Sequence, residues 1–174
     1  MGQGTYTKIA QLAANEFGLP VNKIKVSATR TDKVPNTSAS AASSTTDLNG
    51  AATINAISKI KQNLAAFVKR KYKVKNSEAI YENGLIKFKG KSFKFNRLIK
   101  EAYLNRVSLS SSGFYTTPKI FFDKKNFKGR PFLYFCYGAA VTEVIIDTLT
   151  GENKILQADI LHDAGKAINP AIES

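Results

Sequence analysis

The chain has 174 residues, 43% of them hydrophobic, enough for one domain with its own core and too many for a disordered chain. No apolar run approaches the roughly 18 residues of a membrane span, the opening MGQGTYTKIA lacks the apolar centre of a secretory signal, and the one cysteine, Cys136, has no internal disulfide partner. A cytoplasmic protein is therefore expected. The net charge of +13 raises the question of nucleic acid, but the charge is concentrated: residues 59–100 hold 13 of the 26 Lys and Arg against only Glu78 and Glu82, a net +11.

In chain order, Ile9, Leu12, Ala13 and Phe17 recur at helical spacing across residues 5–17. Gly18 is placed to end that helix in a left-handed conformation, and Pro20 cannot continue it. KIKVSAT alternates like a half-buried strand, and RTDKVPN is a turn-rich connection. The small-residue stretch VPNTSASAASSTTDLNG leads into a long amphipathic helix, with Thr45, Thr46 or Asp47 as its cap and Ile54, Ile57, Leu64 and Phe67 on its buried side. ENGLIKFKG carries Asn-Gly between extended segments and predicts a hairpin. Ser92 or Asn96 is expected to start a shorter helix through FNRLIKEAYLNR, and VSLSSSGFYTTP to be extended and irregular.

PFLYFCYGAAVTEVIIDTLTGENKILQADIL predicts two long strands joined at LTGEN, whose mixed pattern implies that both faces are partly buried, with Cys136 in the core. The order of elements is that of an α+β fold rather than of regular βαβ units. In the basic window, KFKGKSFKFNR interleaves cations with aromatics. It reads either as a phosphate-contacting, base-stacking surface or as a solvated helix end and hairpin with Phe88, Phe93 and Phe95 facing inward.

Two places concentrate backbone donors near helix starts. Gly2-Gln3-Gly4 precedes the first helix, where glycines permit close backbone approach and a helix N-terminus favours an anion. Ala41 and Ala42, followed by Ser43, Ser44, Thr45 and Thr46, offer N–H groups and hydroxyls ahead of the long helix, as a phosphate or polyoxygenated ligand would require. A conventional catalytic set is missing. The only histidine, His162, has no cysteine near it, and Asp159 and Asp163, four residues apart, do not define an acid–base pair. No metal-ligand spacing occurs.

These segments acquire a joint meaning in their order. MGQGTYTKIAQLAANEFGLPVNKIKVSATRTDKVPNTSASAASSTTDLNGAA, then EAYLNRVSLSSSGFYTTP, FLYFCYGAAVTEVIIDTLTGE and DILHDAGKAINPAIE together resemble the molybdopterin-binding large subunit of the xanthine dehydrogenase and aldehyde oxidase family, on its xanthine dehydrogenase branch. The resemblance implies a mixed β-sheet with packed helices, and one partial cofactor-binding domain over residues 1–174 in which 59–100 is the divergent, basic segment. It implies a molybdenum–molybdopterin cofactor touched by Gly2, Gln3 and Gly4 and by Ala41, Ala42, Ser43, Ser44, Thr45 and Thr46. Gln3 would hydrogen-bond it, and the Ala42 N–H would approach the molybdenum's ligands.

The parent reaction so implied is oxidative hydroxylation of hypoxanthine or xanthine with oxygen from water, electrons passing to Fe–S clusters, FAD and NAD. The family's general-base glutamate belongs to a later Gly-rich motif, and its substrate-orienting arginine and phenylalanines lie upstream. The Fe–S and FAD domains lie elsewhere as well. The chain is thus expected to be an internal piece, inactive alone, whose partners are the remainder of the subunit, the Fe–S and FAD domains and a purine substrate. A membrane and nucleic acid are not expected as partners. The alternative is a non-enzymatic basic module that binds nucleic acid or a partner subunit through residues 59–100.

Overall fold

The computed structural model describes residues 4–30, 32, 44–74 and 78–169, and forms two compact units, residues 1–116 and 117–174.

The first unit begins with α1 (Thr5–Phe17), whose buried seam is Thr5, Ala10 and Ala14. Ile9, Leu12, Ala13 and Phe17, the expected apolar face, are only half-buried. The small seam lets α1 lie close to the next helix, where a Cβ on Gly50 would come within 2.9 Å of Leu12 Cδ1. Gly18 ends α1 at φ 61°, and the Leu19 N–H reaches back to the Ala14 carbonyl at 2.9 Å, closing the turn as expected.

The strand expected from KIKVSAT does not form. Val21–Lys23 make one 3₁₀ turn, and residues 24–30 pair with no strand. Alternation marks a surface that could join a ladder, but a strand exists only where a neighbouring backbone supplies the hydrogen bonds. This segment is instead tied to α1 by a hydrogen bond between Tyr6 Oη and Thr29 Oγ1 at 2.9 Å.

The long helix is present, with a different start. A wide π-helical turn, Thr45–Asn49, runs without a break into α2 (Gly50–Tyr72). Thr45, Thr46 and Asp47 therefore do not cap the helix. Ser44, Asn49 and Gly50 all have right-handed helical backbone, whereas a cap needs an extended residue, and Ser44 provides no side-chain cap. Ile57, Leu64, Ala65, Phe67 and Val68 are buried along α2, and Ile54 is half-buried.

The hairpin forms where Asn-Gly predicts it. β1 (Ala79–Glu82) and β2 (Leu85–Phe88) pair antiparallel around Asn83 (φ 50°) and Gly84 (φ 71°), both left-handed as a tight hairpin turn demands. β3 (Lys91–Lys94) adds to β2, giving the order β1-β2-β3. The next helix, α3 (Phe95–Leu104), follows at once. Its cap position is the extended Lys94, while Ser92 lies in β3 and Asn96 in the first helical turn, so neither residue caps it.

One core joins these elements: Leu64, Ala65, Phe67 and Val68 of α2, Val74 just beyond it, Ile86 and Phe88 of β2, and Leu98 and Ala102 of α3. Leu64, Ile86, Leu98 and Val68 are fully enclosed, each worth about 1.5–3 kcal/mol of burial. Phe93 and Phe95 pack against this core, so the aromatics of the basic window face inward. After α3, residues 107–116 are extended and return along α2. Asn55 Nδ2, Lys59 Nζ and Asn63 Nδ2 donate to the carbonyls of Phe114, Ser112 and Ser108 at 2.8, 2.9 and 3.1 Å.

The second unit consists of two antiparallel ribbons, β4–β5 (Phe121–Asp123, Lys128–Arg130) and β6–β7 (Tyr137–Ile146, Asn153–Asp163). The two long strands and their turn match the sequence reading, but their burial does not. Every residue of β6 and β7 is exposed, and so is Cys136, expected in the core. A two-stranded ribbon has no second layer of its own to cover either face. Asp147 holds the turn together, with its carboxylate accepting from the N–H groups of Leu149 (2.8 Å) and Thr150 (3.2 Å), and those bonds keep its carboxyl below the usual range.

Candidate functional site

Of the nine residues expected at the cofactor, Gly4, Ser44, Thr45 and Thr46 are described, while Gly2, Gln3, Ala41, Ala42 and Ser43 lie outside the described residues. Gly4 is left-handed at φ 70°, and nothing lies within 4 Å of where its Cβ would be. The position thus combines a turn that favours glycine with open space beside the backbone. Ser44, Thr45 and Thr46 open the helix that becomes α2, and Thr45 is buried there.

The two segments meet the same neighbour, since α1 packs against both the Thr45–Asn49 turn and α2. Beside this junction is a groove of about 450 Å³, lined in part by Phe17, Asn49, Ala52, Thr53 and Gly113. Thr5 is a residue the sequence reading did not single out. It is the first residue of α1 and, with Thr45, a polar residue buried at a helix start. No sequence motif marks it, because its burial comes from packing around the helix start.

The described part of this set fits an anionic, polyoxygenated group. The first turn of α1 leaves backbone N–H groups without helical partners, and these carry the positive end of the helix dipole. No acidic side chain lies in the first turn of α1, although Asp47 stands in the first turn of the second segment. Fixed backbone donors can hold such an anion without a lysine or arginine.

The other candidates separate in space. His162 is paired with Gly138 in the β6–β7 register, while Asp159 and Asp163 pair with Val141 and Tyr137. By strand alternation the two carboxylates occupy one face and His162 the other, so they do not form a catalytic cluster. Among the described residues no helix is long and apolar enough to cross a membrane.

The chain belongs to the molybdopterin cofactor-binding domain family, which matches it over residues 1–174, and the cofactor of that family is molybdenum–molybdopterin. Among individual proteins, it is 43% identical over 173 residues to a xanthine dehydrogenase of Oryza sativa subsp. japonica, an alignment covering 99% of this chain and 11% of that protein. It is 42% identical over 173 residues to the xanthine dehydrogenase/oxidase of Felis catus, covering 99% of this chain and 12% of the relative.

Its fold is similar to that of a Cu,Mo-CO dehydrogenase in the carbon monoxide-reduced state, with a TM-score of 0.75 at 26% identity over 98% of this chain and 21% of that one. A reconstituted CO dehydrogenase from Oligotropha carboxidovorans is matched equally well, with a TM-score of 0.75. The chain thus spans about a tenth of the length of these curated relatives.

Proposed function

We propose that this chain supplies two loops of the molybdopterin cradle in a molybdenum hydroxylase of the xanthine dehydrogenase type. The observation that carries the reading is the identity of 40–43% to xanthine dehydrogenases over nearly the whole chain. Gly2, Gln3 and Gly4 form one loop, with Gln3 hydrogen-bonding the pterin and Gly4 keeping the backbone open to it. Ala41, Ala42, Ser43, Ser44, Thr45 and Thr46 form the other, with small side chains and N–H groups around the pterin and its phosphate. When bound, the molybdenum centre supplies the oxidative chemistry; these residues hold and orient it.

In the whole enzyme the reaction would be hydroxylation of hypoxanthine or xanthine with water-derived oxygen, electrons leaving through Fe–S clusters and FAD to NAD, in a cytoplasmic setting. The 174 residues form part of one cofactor-binding domain, and the remainder of the subunit is their first partner. The exposed apolar residues of β6–β7, Val144, Ile146, Ile155 and Ile160 among them, support that reading, because a ribbon so exposed is ordinarily covered by another layer. No residue here is assigned as the catalytic base, so the chain alone is expected to be inactive.

Two measurements test the proposal. Xanthine-dependent reduction of NAD or a dye by the purified chain should be absent, and sustained turnover would sink the reading of inactivity. In the whole enzyme, Gln3→Ala should lower the pterin content per protein, read by fluorescence of the released, oxidised pterin. Unchanged content in that variant and in Thr45→Val would remove these loops from the cradle.

A further inference from the structure

The basic window is not accounted for by cofactor binding, and the structure gathers much of it at one place. The end of α2 carries Lys69, Arg70, Lys71 and Lys73, all exposed. β3 brings Lys91 against it, with its Nζ donating to the Tyr72 carbonyl at 2.8 Å and lying 5.5 Å from the Tyr72 ring. α3 brings Glu101, whose two carboxylate oxygens accept from the Tyr72 hydroxyl at 2.7 Å and which also pairs with Lys71. Arg97 stands one helical turn before Glu101 on α3 and adds its charge to the same group.

Cations at a helix C-terminus stabilise the helix dipole, and that explains Lys69, Arg70 and Lys71 in part. It does not explain why a strand and a second helix add Lys91 and Arg97 to the same end. Among the described residues no carboxylate pairs with Lys69, Arg70 or Lys73. The cluster therefore holds one internal carboxylate, Glu101, and keeps several cations turned to solvent.

The aromatics decide between partner classes. A single-stranded nucleic acid site needs rings open for base stacking. Here the rings turn inward: Tyr72 packs on Phe93 at 4.8 Å between centroids, Phe93 meets Phe88 edge-on at 6.1 Å, and Phe88 is buried. Tyr103 is exposed, but it lies two residues from Glu101 and hence on the other side of α3. What the surface presents is ammonium and guanidinium groups around a seated carboxylate, a chemistry that takes further carboxylates.

We propose that the α2 end, formed by Lys69, Arg70, Lys73, Lys91 and Arg97, is a docking surface for an acidic, carboxylate-rich protein segment. Binding is electrostatic, so it weakens as salt rises, and it depends on these cations rather than on the net charge of the chain.

The test uses the full 174-residue chain and a fluorescein-labelled deca-glutamate peptide, with labelled deca-thymidylate as the nucleic-acid probe, in anisotropy titrations at low and near-physiological salt. The variant Lys69→Glu/Arg70→Glu/Lys73→Glu should lose deca-glutamate affinity by roughly tenfold or more. Its control, Lys124→Glu/Lys125→Glu/Lys128→Glu in the second unit, changes the net charge equally and should lose less than about threefold. Circular dichroism checks folding, and the neutral Lys69→Gln/Arg70→Gln/Lys73→Gln variant replaces the first if its helix content falls. Equal loss in both triple variants, no binding of deca-glutamate by the unmodified chain, or tighter binding of deca-thymidylate would overturn the proposal. None of these outcomes bears on the cofactor loops.

Discussion

Gly113 passes so close to the carbonyl oxygen of Ala52 that a methyl group on it would overlap that atom. The extended segment 107–116 can lie on α2 only because this residue has no side chain. The contact is fixed by the donors Asn55, Lys59 and Asn63, spaced one helical turn apart along α2. Gly113→Ala should therefore lift the segment and cost about 2–3 kcal/mol, the scale of overpacking a tight contact. Urea unfolding with limited proteolysis across 107–116 would measure it. Asn63→Ala, which loses one exposed hydrogen bond, should cost about 0.5–1 kcal/mol. Equal costs for the two variants would contradict the close approach as the controlling feature.

Gly18 and Gly84 offer a second comparison. The Gly84 N–H donates to the Gly18 carbonyl at 2.9 Å, joining the end of α1 to the β1–β2 turn. Both glycines are left-handed, at φ 61° and φ 71°, so alanine at either adds strain of roughly 1–2 kcal/mol. Only at Gly18 would the new methyl also run into backbone, that of Tyr81 and Glu82; around Gly84 there is open space. Gly18→Ala should thus be the more destabilising substitution, by more than 1 kcal/mol or so in urea melts.

Glu101 makes stability depend on pH from both ends. Hydrogen bonds from Lys71 and from the Tyr72 hydroxyl hold its carboxyl below the ordinary value of 4.5. A depressed carboxyl contributes stability that is present above the unfolded value and is lost as pH falls through the folded one. The same bond to Glu101 raises the Tyr72 hydroxyl above 10.0, and that contribution is lost as pH rises past the unfolded value. Glu101→Gln should flatten both limbs of a plot of Tm against pH, while Tyr72→Phe should remove the alkaline contribution of Tyr72 and flatten only part of the acid limb. An unchanged acid limb in Glu101→Gln would remove the carboxylate from this role.

Tyr81 is a buried polar group with little in its favour. Its hydroxyl has no hydrogen-bond partner among the described residues, and burial pushes its pKa up to about 12. Its ring is well used, edge-on to Phe17 at 6.3 Å and beneath the Lys61 ammonium at 4.7 Å. Tyr81→Phe keeps the ring and removes the desolvated hydroxyl. Stability should rise by about 1 kcal/mol at neutral pH. The loss of stability between the ordinary 10.0 and about 12 should also shrink, because the raised group favours the folded chain only while protonated. A clear destabilisation would mean that the hydroxyl has a partner that matters.

Local chemistry was legible where one residue type dictates one backbone state. Gly18 at the end of α1, Asn83-Gly84 in the hairpin and the long α2 all stand where the sequence places them. Features that depend on a distant partner were not legible. KIKVSAT alternates like a strand but has no neighbour to pair with, and Thr45–Asp47 look like caps but continue helical backbone already present at Ser44. For the candidate site, Gly4 was readable as a place of close backbone approach, and it stands in a left-handed turn with open space beside it. Thr5 was not, because its burial comes from packing around the helix start and not from any motif.

The β6–β7 ribbon gives the largest gap between pattern and burial, and with it a direct test. The register places Ala140, Val144, Ile146, Ile155, Ala158 and Ile160 on one face, with Val141, Glu143, Gln157 and Asp159 on the other. The first face carries more of the aliphatic side chains, although Ile145 and Leu161 stand on the second, and in this chain it is open to solvent. A two-stranded ribbon is marginal in water, whereas the core residues of α2 are buried together with those of β2 and α3. Amide hydrogen exchange of the chain alone should therefore be fast over 137–163 and slow at Leu64–Val68. The open face should also drive self-association at high concentration, and Ile160→Lys should reduce it without changing exchange at Leu64–Val68. Strong protection of β6–β7 in a dilute, monomeric sample would show that this face is covered within the chain itself.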